Sequence, residues 1–466
     1  MLLSGYYFYG SFSPSYLLIL AAITLNDYFA GIKIAEATTK KSKKRWLALS
    51  MAMNLGILFF FKYANFIDDN IRSIFDLFQL PYVVPEPWFN DFVVPVGVSF
   101  ITFQSLSYTL DIYKGIIEPE RKMGYFALFT CFWPVMVNGP IERAKNLLPQ
   151  LKVPHHFEYN NVRDGLFRIL WGLFKKVVIA DRLAFYVDDM YLHYQEASGW
   201  TIIIGALLFF FQVYCDFSGY SDIALGAAKC MGINITENFK RPFFSKNLAD
   251  FWTRWHISLS TWLTDYVFFY LGAYKASGTK VVFNLVLVLS LCGLWHGANW
   301  PMVLAFSLVG VAMAIRYLWQ YNVLRSIKPS NAYKLYKKYF PEQMHIVVTI
   351  LILTFCFLLF RVHVTSQELG VSWTTIAGQL YAKSLHIFSA NYFSTWILHK
   401  GIAQFIIGIS FLLILLLIEH FIKDEPIDTV VAQFHKNKRW LFYFFLAIST
   451  LWFGVYNNTS FVYFQF

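Results

Sequence analysis

Apolar residues in this chain gather into runs far longer than a soluble core helix needs, and the polar residues fall mainly between them. Tyr16 to Ile34 is the first run, Trp46 to Phe66 the second and Phe92 to Tyr113 the third. Each comes close to the roughly 20 residues with which an α-helix crosses the hydrocarbon layer. Further runs lie at Trp200 to Phe217, Lys280 to Trp300, Pro301 to Trp319, His345 to Phe360, Gly401 to Phe421 and Trp440 to Tyr456. Met123 to Gly139 runs into Pro140, while Val162 to Ala180 and Phe251 to Leu271 are interrupted by charges, so at least one of these three is expected to be re-entrant or interfacial. Non-helical backbone at membrane depth is tolerated only where protein or a watery cavity satisfies it. The pattern therefore predicts an all-α polytopic membrane protein with about ten transmembrane helices plus re-entrant or interfacial helices around a central cavity. No repeat of the transporter kind and no linker divides the chain, so one membrane domain over residues 1–466 is expected.

Charge orients these runs. The cluster Lys40, Lys41, Lys43, Lys44 and Arg45 follows the first run at once, and the loops holding Arg325, Lys328, Lys334, Lys337 and Lys338 and holding Lys423, Lys436, Lys438 and Arg439 are equally basic. By the positive-inside rule all three face the cytoplasm. Between Ile67 and Asp91 the charges are Asp68, Asp69, Asp76, Glu86 and Asp91 against Arg72, which puts that loop outside. No basic segment or small-residue cleavage site precedes Tyr16, so the first run reads as a retained helix and not as a signal peptide.

Composition agrees with the pattern. Of 466 residues 57% are hydrophobic, 20% aromatic and 14% charged, above the roughly 45–50% apolar content of soluble domains. The net charge of +11 is accounted for by the cytoplasmic loops, and no nucleic-acid partner is inferred from it. Cys131, Cys215, Cys230, Cys292 and Cys356 lie in or beside apolar stretches without CxxC or CxxH spacing. They read as small core hydrophobes.

Candidate chemistry begins where the run from Lys280 ends in Trp295-His296-Gly297-Ala298-Asn299. An ionisable group inside a bilayer is costly unless it is paired or faces water, so it is a functional candidate by default. A helix-end histidine bonded within the bundle is the alternative. Gly293 and Gly297, which leave backbone accessible, Trp295 and Trp300, which offer aromatic surface, and Asn299, with a donor and an acceptor, favour a pocket. Two other polar blocks lie upstream. Asp216-Phe217-Ser218-Gly219-Tyr220-Ser221-Asp222 closes an apolar run, and its two carboxylates, six apart, do not share one helical face. Solvated carboxylates at an interfacial helix end are the alternative there. In Asp250-Phe251-Trp252-Thr253-Arg254-Trp255-His256-Ile257-Ser258-Leu259-Ser260, a continuous helix would stack Trp252, His256 and Ser260 on one face and let Arg254 pair with Asp250. An amphipathic helix in the headgroup region explains the same block equally well. HExxH and GxSxG motifs and Gly-rich phosphate loops are missing from the sequence, which leaves an intramembrane histidine as general base or proton shuttle.

Taken in order, these three blocks resemble the membrane-bound O-acyltransferase family, nearest to the bacterial branch that includes the membrane subunit of alginate O-acetylation. The likeness also touches Pro95-Val96-Gly97-Val98-Ser99-Phe100 and Asn138-Gly139-Pro140 and gives a signature core over 92–320, with C-terminal helices over 321–466. Against that family the chain starts short of an N-terminal membrane segment, and Arg361-Val362-His363 only loosely matches a Phe-Arg-Ala segment. The resemblance implies acyl transfer, in this branch acetyl transfer, from a cytoplasmic thioester such as acetyl-CoA or an acyl carrier protein, with no tightly bound cofactor and no metal. It implies transfer across the membrane to a hydroxyl presented from the other side, a serine-type hydroxyl on a periplasmic partner or one on a cell-envelope or secreted polysaccharide, with an extracytoplasmic acyltransferase or esterase-like partner protein, surrounding membrane lipids and a place in the bacterial cytoplasmic membrane. In that family the residue matching His296 is taken as catalytic and that matching His256 stands in the second block. His296 is accordingly assigned the base role, with Asn299 and His256 as candidates for polarising the carbonyl. Trp295, Arg254, Asp216, Ser218, Tyr220, Asp222 and Asn138 are the remaining substrate-binding candidates. A lipid or glycan transporter with an intramembrane proton relay is the alternative from another class. The polar blocks, too costly facing lipid, are expected to enclose a polar path between Asn138 and Asn299.

The charge pattern predicts that single cysteines placed at Ser42 and at Gln79 react with a membrane-impermeant reagent from opposite sides of the membrane. Labelling of both from outside overturns the orientation.

Overall fold

The computed structural model describes residues 1–82, 94–275, 277–328, 330–386 and 401–456. Among these the regular structure is helical and contains no strand. Seven helical runs among the described residues are long and apolar enough to cross a membrane: Tyr16–Glu36, Lys40–Leu77, Gly199–Cys230, Gly278–His296, Trp300–Leu324, Glu342–Leu369 and Ile402–Ile422. The other expected runs differ for local reasons. Met123–Thr130 and Trp133–Met136 are separate short helices, the second with Pro134 in its first turn, where a missing N–H is tolerated. Tyr159–Leu173 and its π-helical continuation Phe174–Ala180 carry Arg163, Asp164, Arg168, Lys175 and Lys176. Lys436–Phe453 is helical but opens on Lys436, Lys438 and Arg439. Glu86, Asp91 and Phe92 lie outside the described residues.

The chain divides into two compact units, one of Met1–Val162 with Ala227–Thr236 and one of Arg163–Gly226 with Glu237–Phe466. In the first, the helices Tyr16–Glu36, Lys40–Leu58 and Val98–Tyr113 pack on one another. Lys40–Leu58 begins at a Thr39 cap, passes through a π-helical turn at Phe59–Tyr63 and continues as Ala64–Leu77. The segment expected to be an acidic loop from Ile67 thus starts as helix, where Asp68 pairs with Arg72 one turn on at 2.7 Å. A helix of 38 residues is about 57 Å long at 1.5 Å per residue, so Ser42 and Gln79 stand at opposite ends of it. At the centre of this bundle the fully buried Asp27 accepts hydrogen bonds from Ser50, Asn54, Ser105 and Asn26. Four neutral donors from three helices satisfy its oxygens in place of water.

The second unit is built on the Gly199–Cys230 helix, 32 residues long and largely buried over its apolar window. Tyr159–Leu173 crosses it at two glycine contacts one heptad apart. A Cβ on Gly172 would lie 2.4 Å from the carbonyl oxygen of Gly219, and one on Gly226 would lie 2.4 Å from that of Gly165. With no side chain between them the two backbones touch, as small residues allow in membrane bundles. That approach carries the cationic side of Arg168, Lys175 and Lys176 onto the acidic side of the long helix.

Gly226→Val is expected to lower the yield of folded protein and its melting temperature sharply, because inserted bulk at a close contact costs about 1–3 kcal/mol or more. Gly56→Ala, where an added Cβ meets nothing within 4 Å, should be neutral or stabilising by up to about 1 kcal/mol through helix propensity. Detergent-solubilised melting curves of the two variants check the contrast.

Candidate active site

The two histidines reach each other from different local structures. Gly278–His296 ends at His296 itself, the chain extends through Gly297, and Asn299 caps the next helix, Trp300–Leu318, by accepting the Met302 N–H at Oδ1, 2.9 Å. Pro301 sits in the first turn, where its missing N–H costs nothing. This three-residue connection makes an antiparallel hairpin that folds Phe306 back onto His296, with the rings stacked at 4.7 Å and 11°. His256 arrives by a break. Leu248–Trp252 stops, and His256 takes a left-handed conformation, φ 43° and ψ 54°, immediately before Ile257–Leu263. A left-handed histidine is uncommon and stores strain of about 1–3 kcal/mol that its surroundings must hold. The expected single helix, with Trp252, His256 and Ser260 in one stripe, is therefore not formed.

The break sets the His256 ring 6.1 Å from that of His296, with Trp295 at 5.8 Å and Phe217 edge-on at 4.7 Å. His256 is 1% exposed, His296 5% and Trp295 3%. Neither imidazole is a surface group. Burial pushes the His256 pKa well below its ordinary value, so the ring is neutral at neutral pH. On its Nδ1 side, 3.2 Å away, lies Oδ1 of Asn238, which also accepts the backbone N–H and the hydroxyl of Ser258.

A layer of buried ion pairs adjoins this pocket through Ser221, to whose hydroxyl Asn238 donates at 3.4 Å. Asp222 and Asp216, on the long helix, are 3% and 1% exposed. Solvation at a helix end does not describe them, because the helix continues to Cys230. Asp222 meets Arg168 at 2.6 Å and also Lys175; Asp216 meets Lys176 at 2.6 Å. Arg168 further binds Glu237 at 2.7 Å and Asp428 at 2.8 Å, one guanidinium fork serving three carboxylates. Ser218 accepts Lys175 at 2.8 Å. A cleft opens onto the layer, lined by Arg168, Lys175, Asp222, Glu237, Glu419 and Asp424. Arg254 pairs with Asp250 at 2.9 Å, as the i−4 spacing predicts, and together with Arg241 it holds Asp424 of the cleft lining. Burial works against ionisation of Asp424, but the hydrogen bonds from Arg241 and Arg254 outweigh it and keep the carboxyl below the usual carboxylate range.

The structure thus brings together His296, His256, Trp295 and Asn299 near the aromatic pocket and Asp216, Ser218 and Asp222 in the ionic layer, with Tyr220 half-buried beside them on the long helix. Arg254 joins the cleft lining through its ion pair with Asp424. Asn138 is buried in the first unit. Trp300, expected to flank the imidazole, is 46% exposed, and the flat partner of His296 is Phe306. Sequence reasoning missed Asn238, Phe306, Arg168, Lys175 and Lys176. The cations carried a signal in the charges that interrupt Val162 to Ala180, whereas Asn238, in an irregular segment 18 residues before His256, carried none.

Residues 1–336 match the sequence model of MBOAT, the membrane-bound O-acyltransferase family. The chain is 38% identical over 317 residues to the probable alginate O-acetylase of Pseudomonas putida, an alignment covering 68% of this chain and 64% of the relative. It is 32% identical over 348 residues to the peptidoglycan O-acetyltransferase of Helicobacter pylori, covering 68% and 63%. With the teichoic acid D-alanyltransferase of Bacillus subtilis it shares 27% identity over 286 residues, covering 59% and 69%. The chain thus spans a little under two thirds of the length of the alginate O-acetylases it matches. With a match over most of its length that takes in both histidines, the helix hairpin of His296 and the acidic block of the long helix, this chain belongs to the membrane-bound O-acyltransferase family.

Proposed function

We propose that this protein moves an acyl group, in the first instance acetyl, from a cytoplasmic thioester across the membrane to an acceptor hydroxyl, for O-acylation of a cell-envelope or secreted polysaccharide. The carrying observation is the pair of buried imidazoles 6.1 Å apart inside an aromatic pocket. Similarity to enzymes named for acetylating alginate and peptidoglycan and for alanylating teichoic acid supports an envelope polymer as the acceptor class. Acetyl-CoA or an acylated carrier protein is the proposed donor, a separate extracytoplasmic transferase the proposed recipient of the group, and the bacterial cytoplasmic membrane the proposed location.

In this reading the acceptor hydroxyl attacks the thioester carbonyl as His296 takes its proton. A tetrahedral oxyanion forms and collapses, the carbon–sulfur bond breaks, and the proton held by His296 leaves with the thiolate as free thiol. The products are an ester and a thiol, and the base is regenerated. Asn299 suits the oxyanion, because its cap uses Oδ1 and leaves the Nδ2 hydrogens to donate. Trp295, Phe306 and Phe217 keep water from the intermediate, whose hydrolysis would waste the donor.

His296→Ala is expected to lower thioester consumption per folded molecule by about 10²–10⁴-fold, the usual loss on removing a positioned base, while membrane insertion is retained. His256→Ala should give a smaller loss. Normal specific activity in His296→Ala together with a low yield of folded protein would assign that ring to packing. Purified protein that moves lipid or glycan without consuming thioester supports transport in place of transfer.

A further inference from the structure

The turn that carries His256 is built by Asn238, 18 residues earlier in the chain. The first N–H groups of a helix need acceptors from outside it, and a side chain at the N-cap position ordinarily supplies one. His256 occupies the N-cap of Ile257–Leu263 and makes no such bond. Asn238 acts in its place with two oxygens. Its backbone carbonyl accepts the Ile257 N–H at 2.9 Å, and its side-chain Oδ1 accepts the Ser258 N–H at 3.2 Å and the Ser258 hydroxyl at 3.0 Å. The imidazole is thereby freed from capping its own helix.

These bonds also determine which way the Asn238 amide faces. A backbone N–H can only donate, so the side-chain atom it meets must be the carbonyl oxygen and not the NH₂ group. On the other side, Nδ2 points at the Ser221 hydroxyl, 3.4 Å away. The oxygen fixed in this manner is the one 3.2 Å from His256 Nδ1. A carbonyl oxygen has no hydrogen to give, so Nδ1 must be the protonated nitrogen. In a neutral imidazole the other nitrogen then carries a lone pair.

We infer that Asn238 is a positioning residue that locks His256 in the Nδ1–H tautomer and makes its Nε2 a proton acceptor within the acyl-transfer pocket. Burial reinforces the arrangement by keeping the ring neutral. It follows that neutral His256 cannot hydrogen-bond the thioester oxyanion through Nε2, so carbonyl polarisation falls to Asn299. His256 instead receives an N–H or O–H hydrogen beside His296, a titratable group packed against it; among its described contacts Phe217, Trp295 and Asn238 do not titrate. The meaning of this tautomer for turnover rests on the acyl-transfer reading, whereas the tautomer itself does not.

The test uses the full chain in lipid nanodiscs, labelled with ¹⁵N-histidine and compared with His256→Gln to identify the His256 signals. The native ring is expected to carry its hydrogen on Nδ1. Asn238→Asp retains the acceptor for Nδ1 and for both Ser258 groups, so it should preserve the Nδ1–H form. By adding a negative charge against the ring it should also move the acidic limb of thioester consumption to higher pH by about 1–3 units, because a nearby anion favours the imidazolium. Asn238→Ala, read on its folded fraction, should release the ring to the Nε2–H form. A native ring protonated at Nε2 overturns the inference without any reference to activity, as does an Nδ1–H ring unchanged in Asn238→Ala. An Nδ1–H native ring in a protein that consumes no thioester leaves the positioning role standing and refutes the functional reading instead.

Discussion

Carboxylates held away from water need cations within contact distance, and the second unit is arranged around meeting that need. Asp216 and Asp222 lie on a helix that is otherwise apolar enough to cross a membrane, and Arg168, Lys175 and Lys176 answer them from one neighbouring segment. Taking either sign out of water alone costs several kcal/mol, and removing one partner from such a pair typically costs about 3–5 kcal/mol. Arg168 is the most heavily committed group, since Asp222, Glu237 and Asp428 come from three separate parts of the chain. The glycine contacts are the steric condition for this layer. Were Gly172 and Gly226 larger, the helices would stand apart and the same charges would face a gap.

Specific placement, more than net stabilisation, is what such a layer provides. Glu237 is drawn to Arg168, and the next residue in the chain is Asn238. The loop that caps the His256 turn is therefore tethered by an ion pair at one side and by the Ser221 contact at the other. Phe239 packs edge-on against Phe217 at 5.1 Å and against Trp255 at 5.2 Å, closing the same loop onto the long helix and the broken one. A strained left-handed residue persists only where its surroundings over-determine it. Here ionic, hydrogen-bonded and aromatic contacts act on consecutive residues to hold one turn.

The chemistry follows from keeping that turn separate from the hairpin that carries the second ring. His296 belongs to a regular helix end whose neighbours are aromatic; His256 belongs to a strained turn whose neighbour on the Nδ1 side is an amide. Two imidazoles in unlike environments are suited to unlike proton tasks, which is the arrangement expected where one group must accept a proton as another holds its place. The polar groups of the pocket are few and directed, while its walls are Trp295, Phe306 and Phe217.

The membrane class, the helical architecture and the blocks that carry the two histidines were legible in the sequence, because long apolar runs and isolated polar residues within them each have a direct physical meaning at the level of single residues. The Arg254 and Asp250 pair was legible too, since four-residue spacing is a local property of a helix. What the local pattern could not contain was where the helices stop and what meets across them. His256 sits in a block whose spacing suits one continuous helix, yet the chain breaks there because Asn238 supplies acceptors that only the folded structure brings within reach. For the carboxylates six apart on the long helix the sequence left a solvated helix end and a polar site both open, and it is Lys175 and Lys176, set opposite them by a glycine crossing, that decide between the two. Phe306 reaches His296 only after the hairpin turns at Asn299. Local spacing determines which residues are polar in an apolar run, whereas their partners, and with them the burial of each ring and the inferred tautomer of His256, are decided by contacts between distant segments.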